Sequence, residues 1–196
     1  MIPSVSYVVG HTNCSVGNAE CSILLTMSRT LRMLQLNARK QQMVQHSLMN
    51  DAQLRDFSVL AISEPYSRTI NNTAVTVPTG HANWTKIVPS EQRQGILAFR
   101  SMLWIRRDIE AEQVTVQSPD VTVAVLRLQD QSILAVSVYV EGQSEEALGD
   151  TINKLHQLIQ ETRTRVGARV DVVLVGDFSR HDQLWGISLG QQFHPL

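Results

Sequence analysis

Cysteine is scarce in this chain. Cys14 and Cys21 are the only two in 196 residues, and neither stands in a CxxC or His-rich setting. A disulfide framework or a thiolate zinc site needs more ligands at closer spacing, so both are excluded, and two reduced, structurally minor thiols of an intracellular compartment are expected. Surplus charge of one sign is also lacking: 17 basic residues stand against 18 acidic ones, a net of −1. The chain therefore carries no global electrostatic footprint for nucleic acid, and any such contact must come from local arginines. The opening MIPSVSYVVGHTNCSVGNAECS has neither a cationic start nor a long apolar run, so a signal peptide and a membrane span are both excluded. No internal repeat, low-complexity tract or linker divides the sequence, and its length suits one domain with a real core.

What the sequence does contain is a succession of short apolar strands. Residues 1–29 are rich in Ser, Asn, Gly and Thr and are expected to be a poorly ordered leader; residues 188–196 form an unassigned tail. From Leu31, LRMLQLN reads as a strand, and ARKQQMVQHSLMNDAQLRDF as a helix carrying Met43, Leu48 and Leu54. SVLAISEPY follows as a second buried strand, which completes a βαβ unit. Residues 67–95 read as loop. AFRSMLWIRR, AEQVTVQ, VTVAVLRLQ and SILAVSVYVEG are four strands whose short connections predict antiparallel hairpins. EEALGDTINKLHQLIQETRTRV, with Leu148, Ile152, Leu155, Leu158 and Ile159 at helical spacing, is an amphipathic helix leading into the strand VDVVLVGDF. Mixed sheets with helices outside them make an α/β or α+β sandwich.

Three of these strands end in polar groups: Asn37 after LQL, Glu64 after LAIS and Asp177 after VLVG. Carboxylates at the ends of buried strands converge on one rim of a sheet, and oxygen ligands of this kind suit a hard cation such as Mg²⁺. Singly, a residue of this kind at a strand end is more often a turn or cap residue. Arg39 and Lys40, directly after Asn37, are placed to meet phosphate. Arg106 and Arg107, with Trp104 on the same strand, have two readings, a nucleic-acid backbone contact or a solvated edge strand. His156 falls in the long helix, and the other histidines share no ligand spacing.

In combination LQLNARK, VLAISEPY, the WIRR strand, ILAVSVYVEG and VVLVGDFSRHDQLWG resemble the endonuclease/exonuclease/phosphatase family, and within it the endonuclease domain preceding reverse transcriptase in fungal non-LTR (LINE-like) retrotransposons. The resemblance implies a four-layered α/β sandwich over residues 30–187, partial at its C-terminus. It implies a Mg²⁺-dependent DNA-nicking phosphodiesterase, with Mn²⁺ as a substitute ion. Glu64 is then the metal-binding glutamate and Asn37 part of the metal and phosphate site. Tyr139 faces the scissile phosphate, and Asp177 positions the attacking water and adds to the metal site. Ser179 replaces the asparagine usual after GDF, and His181 joins Arg39 and Lys40 as a substrate-contacting residue. The family's closing Ser-Asp-His segment has no counterpart here, which implies little or no cleavage by this chain, or a non-catalytic remnant that binds nucleic acid or a partner. The resemblance implies an intracellular location, nuclear if the chain acts as a retrotransposon endonuclease.

Overall fold

VLAI and ILAV are apolar at every position, the pattern of strands covered on both faces, and a computed structural model of the chain shows what covers them. It describes residues 7–9, 20–24, 30–71, 73–93, 99–129, 131–140, 145–167 and 169–178. The elements in order are β1 (Tyr7–Val9), β2 (Glu20–Leu24), β3 (Thr30–Asn37), α1 (Gln42–Asn50), a 3-10 turn (Ala52–Asp56), β4 (Val59–Ser63), β5 (Ser67–Ile70), β6 (Thr73–Thr76), β7 (Trp84–Ile87), β8 (Ser101–Arg106), β9 (Glu110–Val114), β10 (Val121–Arg127), β11 (Ser132–Val140), α2 (Glu145–Val166) and β12 (Val170–Phe178).

Two five-stranded sheets result, one ordered β1-β12-β11-β10-β9 and the other β2-β3-β4-β8-β7, with β5-β6 as a separate hairpin. Each sheet contains one parallel pair joined through a helix, β3-α1-β4 and β11-α2-β12. Because side chains alternate along a strand, each central strand feeds two cores. Val59, Ala61, Leu103 and Ile105 meet Ala124, Leu126, Ile133, Ala135, Val173 and Val175 between the sheets. On the outer face of one sheet Leu60, Ile62, Met102 and Trp104 pack with Met49 of α1 and Leu54 of the 3-10 turn. On the outer face of the other, Val123, Val125, Leu134, Val136 and Val138 pack with Leu155 and Leu158 of α2. The order helix, sheet, sheet, helix is the four-layered sandwich expected.

Helix α2 is bounded as its sequence dictates. Glu145 and Glu146 lie in the first turn and Arg163 and Arg165 in the last, both favourable to the helix dipole. Gly167, at φ 65°, ends it by donating its N–H to the Arg163 carbonyl at 3.2 Å. Of its apolar positions Leu155 and Leu158 are buried, whereas Ile152 is 54% exposed. In α1, Met43 is 76% exposed, and Gln45 and Met49 are buried instead.

Three features depart from the sequence reading. Residues 67–95, read as loop, contain β5, β6 and β7; at four residues each, with Ser67–Ile70 mostly exposed, they are too short to show a period. The predicted hairpin between β8 and β9 does not form, because Arg107–Ile109 carry the chain from one sheet to the other: β8 pairs with β4 and β7, and β9 with β10. Finally, two short strands lie in the stretch 1–29. Tyr7–Val9 pairs antiparallel with Val173–Val175, and Glu20–Leu24 with Thr30–Leu34. Strand β12 is thus flanked by β11 and β1.

Candidate functional site

The inner faces of six strands change character at the same end of the sandwich. Leu31 and Met33 give way to Gln35 and Asn37, Val59 and Ala61 to Ser63, and Leu103 and Ile105 to Ser101. On the opposing sheet Ala124 and Leu126 give way to Thr122, Ile133 and Ala135 to Ser137 and Tyr139, and Val173 and Val175 to Asp177. Gln35 Nε2 donates to Ser63 Oγ at 3.2 Å, and the hydroxyls of Ser101 and Thr122 hydrogen-bond between the sheets at 2.7 Å. Above this polar floor the predicted residues assemble.

Asn37 ends β3 and bridges the two sheets. Its Nδ2 donates to Asp177 Oδ2 at 2.5 Å, while its Oδ1 accepts the Arg39 backbone N–H at 2.7 Å, an Asx turn. Asp177 is only 7% exposed, so the amide supplies a polar partner where water is scarce. Asp177 stands in register with Tyr139 on the parallel neighbour, which places both side chains on the inner face.

Glu64 follows β4 in a left-handed conformation, φ 45°, that non-glycine residues rarely adopt. The loop after β3 holds it there. Ala38 N–H donates to Ser63 O at 2.8 Å, Lys40 N–H to Glu64 O at 2.8 Å, and Glu64 N–H to Arg100 O at 2.9 Å. Arg39 and Lys40 are also left-handed, at φ 48° and 57°, so three strained residues cluster at this rim. From below, the buried Gln45 donates Nε2 to Val77 O and accepts the Tyr66 N–H at 2.8 Å, fixing the chain just past Glu64. The Glu64 carboxylate faces Lys40 Nζ at 3.5 Å, and its side chain remains 19% exposed.

Asn37, Glu64, Tyr139 and Asp177 therefore lie at one end of the sandwich, with Lys40 against Glu64 and Arg39 exposed beside them. Ser179 and His181 lie outside the described residues. Arg106 and Arg107 do not reach this rim, and their strand is not an edge: β8 lies between β4 and β7, Trp104 is 0% exposed on the α1 side, and Arg106 bonds Asp108 at 2.5 Å at the far end of β8. Two further residues enter the site, Arg100 and Asp120. Arg100 donates from Nε and a terminal nitrogen to the two Asp120 oxygens, both at 2.8 Å, and its guanidinium lies over the Tyr139 ring, 4.4 Å from the centroid. Arg93 joins the same carboxylate at 2.7 Å. The only signal for them in the sequence is an arginine inside the apolar run AFRSMLW and an aspartate in the turn SPD.

The oxygen-only donor set, two carboxylates and an amide, suits a hard cation, although no cluster of three His, Cys, Asp or Glu is gathered among the described residues. No helix among the described residues is long and apolar enough to cross a membrane.

No protein-family model and no curated protein matches the chain. Among solved structures it is similar to the endonuclease domain of TRAS1, a telomere-specific non-LTR retrotransposon, at 18% identity and a TM-score of 0.55 over 80% of this chain. It spans 62% of that domain's length. Two structures of D. rerio TDP2 overlap less: a humanized form at TM-score 0.46 and 13% identity, covering 78% of this chain and 64% of that one, and a complex with single-strand DNA product at 0.43 and 14%, covering 74% and 55%. The TRAS1 likeness establishes the fold: an α/β sandwich of the endonuclease/exonuclease/phosphatase type.

Proposed function

We propose that the polar end of the sandwich is the site of a divalent-metal-dependent phosphodiester hydrolase acting on DNA, the endonuclease part of a retrotransposon polypeptide working in the nucleus. The observation that carries this reading is the convergence of Asn37, Glu64, Tyr139 and Asp177 from four separate strand ends onto one rim, across two sheets.

The donor chemistry fits Mg²⁺ or Mn²⁺, with Glu64 as the direct ligand and Asn37 and Asp177 completing the site. The bound ion would polarise the phosphoryl oxygen and relieve charge on the leaving alkoxide. The chain's own groups do the rest. Asp177, held by the Asn37 amide, is an oriented acceptor for the proton of an attacking water. Tyr139 is fixed beside it in register, facing the same space. Lys40 and Arg39 place cationic charge at the entrance. Cleavage by this set alone should be slow, because none of the four central residues is a histidine able to serve the scissile phosphate.

A second reading is a non-catalytic module that binds nucleic acid or a partner. It is favoured by Lys40, which already sets a positive charge 3.5 Å from the Glu64 carboxylate. Mn²⁺ titration monitored by paramagnetic broadening, with supercoiled-plasmid nicking alongside, separates the two. The first reading expects broadening centred on Glu64, Asn37 and Asp177, and slow metal-dependent nicking, both lost in Glu64→Ala. Broadening elsewhere, or cleavage indifferent to Glu64, overturns it; DNA binding with no metal response leaves the second.

A further inference from the structure

Arg100 immediately precedes β8 in one sheet, and Asp120 immediately precedes β10 in the other. Each belongs by its backbone to a different candidate catalytic residue. The Arg100 carbonyl accepts the Glu64 N–H at 2.9 Å, and the Asp120 carbonyl accepts the Tyr139 N–H at 2.9 Å. Their side chains then join the sheets through two parallel bonds of 2.8 Å, with the Arg100 side chain 7% exposed and that of Asp120 13%. A further bond, Arg100 N–H to Pro119 O at 3.0 Å, doubles the link along the backbone. The same guanidinium covers the Tyr139 ring.

We infer that Arg100 and Asp120 are positioning residues, a clasp between the sheets that sets the distance and tilt of Tyr139 relative to Glu64. One bidentate pair of charge-assisted bonds allows one relative placement of the planar groups, and a guanidinium stacked on a ring restricts rotation of that ring. A site drawn from two sheets needs such a constraint, because a displacement of about 1 Å can cost on the order of 10²-fold in rate. The Asn37–Asp177 bond closes the other side of the rim in the same manner. The catalytic part of this inference rests on the hydrolase reading; the mechanical part does not.

Amide hydrogen exchange tests the mechanical part directly, in Arg100→Lys and Asp120→Asn. Lysine keeps the charge but not the fork, so it does not rescue. Each substitution should accelerate exchange about tenfold or more at both Glu64 and Tyr139, while Leu103 and Val136 in the strand centres stay unchanged. Acceleration confined to the mutated residue's own sheet, or spread equally to Leu103 and Val136, would overturn the clasp. Plasmid nicking tests the catalytic part: Arg100→Lys should lower kcat about 10- to 100-fold with KM within about threefold, and cost little further in a Tyr139→Phe background. Equal losses in both backgrounds would refute positioning through Tyr139. If the unaltered chain does not nick DNA at all, the hydrolase reading fails, while the exchange result still decides the clasp.

Discussion

The side chain of Asn37 is used at both ends, one on its own loop and the other on Asp177 in the opposite sheet. Its replacement by Ala leaves a buried carboxylate oxygen without that donor and frees the turn that shapes Arg39 and Lys40. A loss of about 1–3 kcal/mol is expected. The check is a lower urea midpoint at unchanged m; a midpoint equal to that of the unaltered chain would mean water replaces the amide. Lys86 makes the opposite case, a cation that folding strips of water. Its ammonium reaches the Thr76 and Pro78 carbonyls at 3.5 and 3.4 Å and sits 5.8 Å from the Trp104 ring centroid, yet burial still lowers its pKa from 10.5. Between the lowered folded value and 10.5 the unfolded chain therefore binds more protons, and stability from this group rises with pH across that window. Thermal unfolding from pH 8 to 10.5 should show the unaltered chain gaining on Lys86→Met. A parallel pair of curves would refute the burial penalty. Neither structural role was legible in the sequence, since Lys86 meets carbonyls eight and ten positions away and Asn37 meets Asp177 in the opposite sheet.

At the scale of elements, the strand preceding the site has a glycine that its neighbours require. Gly176 stands opposite Val138 in the parallel ladder, and a Cβ built there would lie 1.9 Å from the Val138 carbonyl oxygen and 2.8 Å from its carbon. The obstacle is backbone in a central strand, which cannot step aside as a flexible side chain would. Gly176→Ala should cost about 3 kcal/mol, the upper part of the range for overpacking, and disturb Asp177 next to it. Denaturant unfolding measures the first, and the chemical shift of the Asn37 amide the second; a tolerated alanine would show that β11 and β12 are less closely joined. The GDF motif was conspicuous in the sequence, but the reason for its glycine is the facing carbonyl. Strands read correctly wherever burial on both faces made a run of apolar residues. They were missed at β5, β6 and β7, where four-residue strands at the margin hold too few buried positions to make a pattern.

For the molecule as a whole, sheet edges decide how the domain behaves in solution. Val173, Leu174 and Val175 would offer free backbone groups beside an apolar surface if β12 were terminal, but Tyr7–Val9 lies against them. A chain lacking residues 1–10 should therefore associate, and light scattering at micromolar concentration would detect it. A shortened chain that stays monomeric with an unchanged Tm would show that β1 contributes nothing to protection of the edge.

By itself the sequence determined the layers. One βαβ unit, an amphipathic α2 leading into β12 and strands apolar on one or both faces follow from periods of 3.6 and 2 that burial imposes locally; Asn37, Glu64 and Asp177 stand where strand runs turn polar, and Tyr139 was added by the family resemblance. The tertiary structure alone decided which strands share a sheet and how the site closes. β8 and β9 are adjacent in the chain but belong to opposite sheets, and β1 finds β12 across the whole sequence. Arg100 meets Asp120 only because the two sheets stack with their polar ends together. Local periodicity records which face of a strand is buried; it carries no information on what buries it, and contacts between sheets are set by packing among residues far apart in the chain.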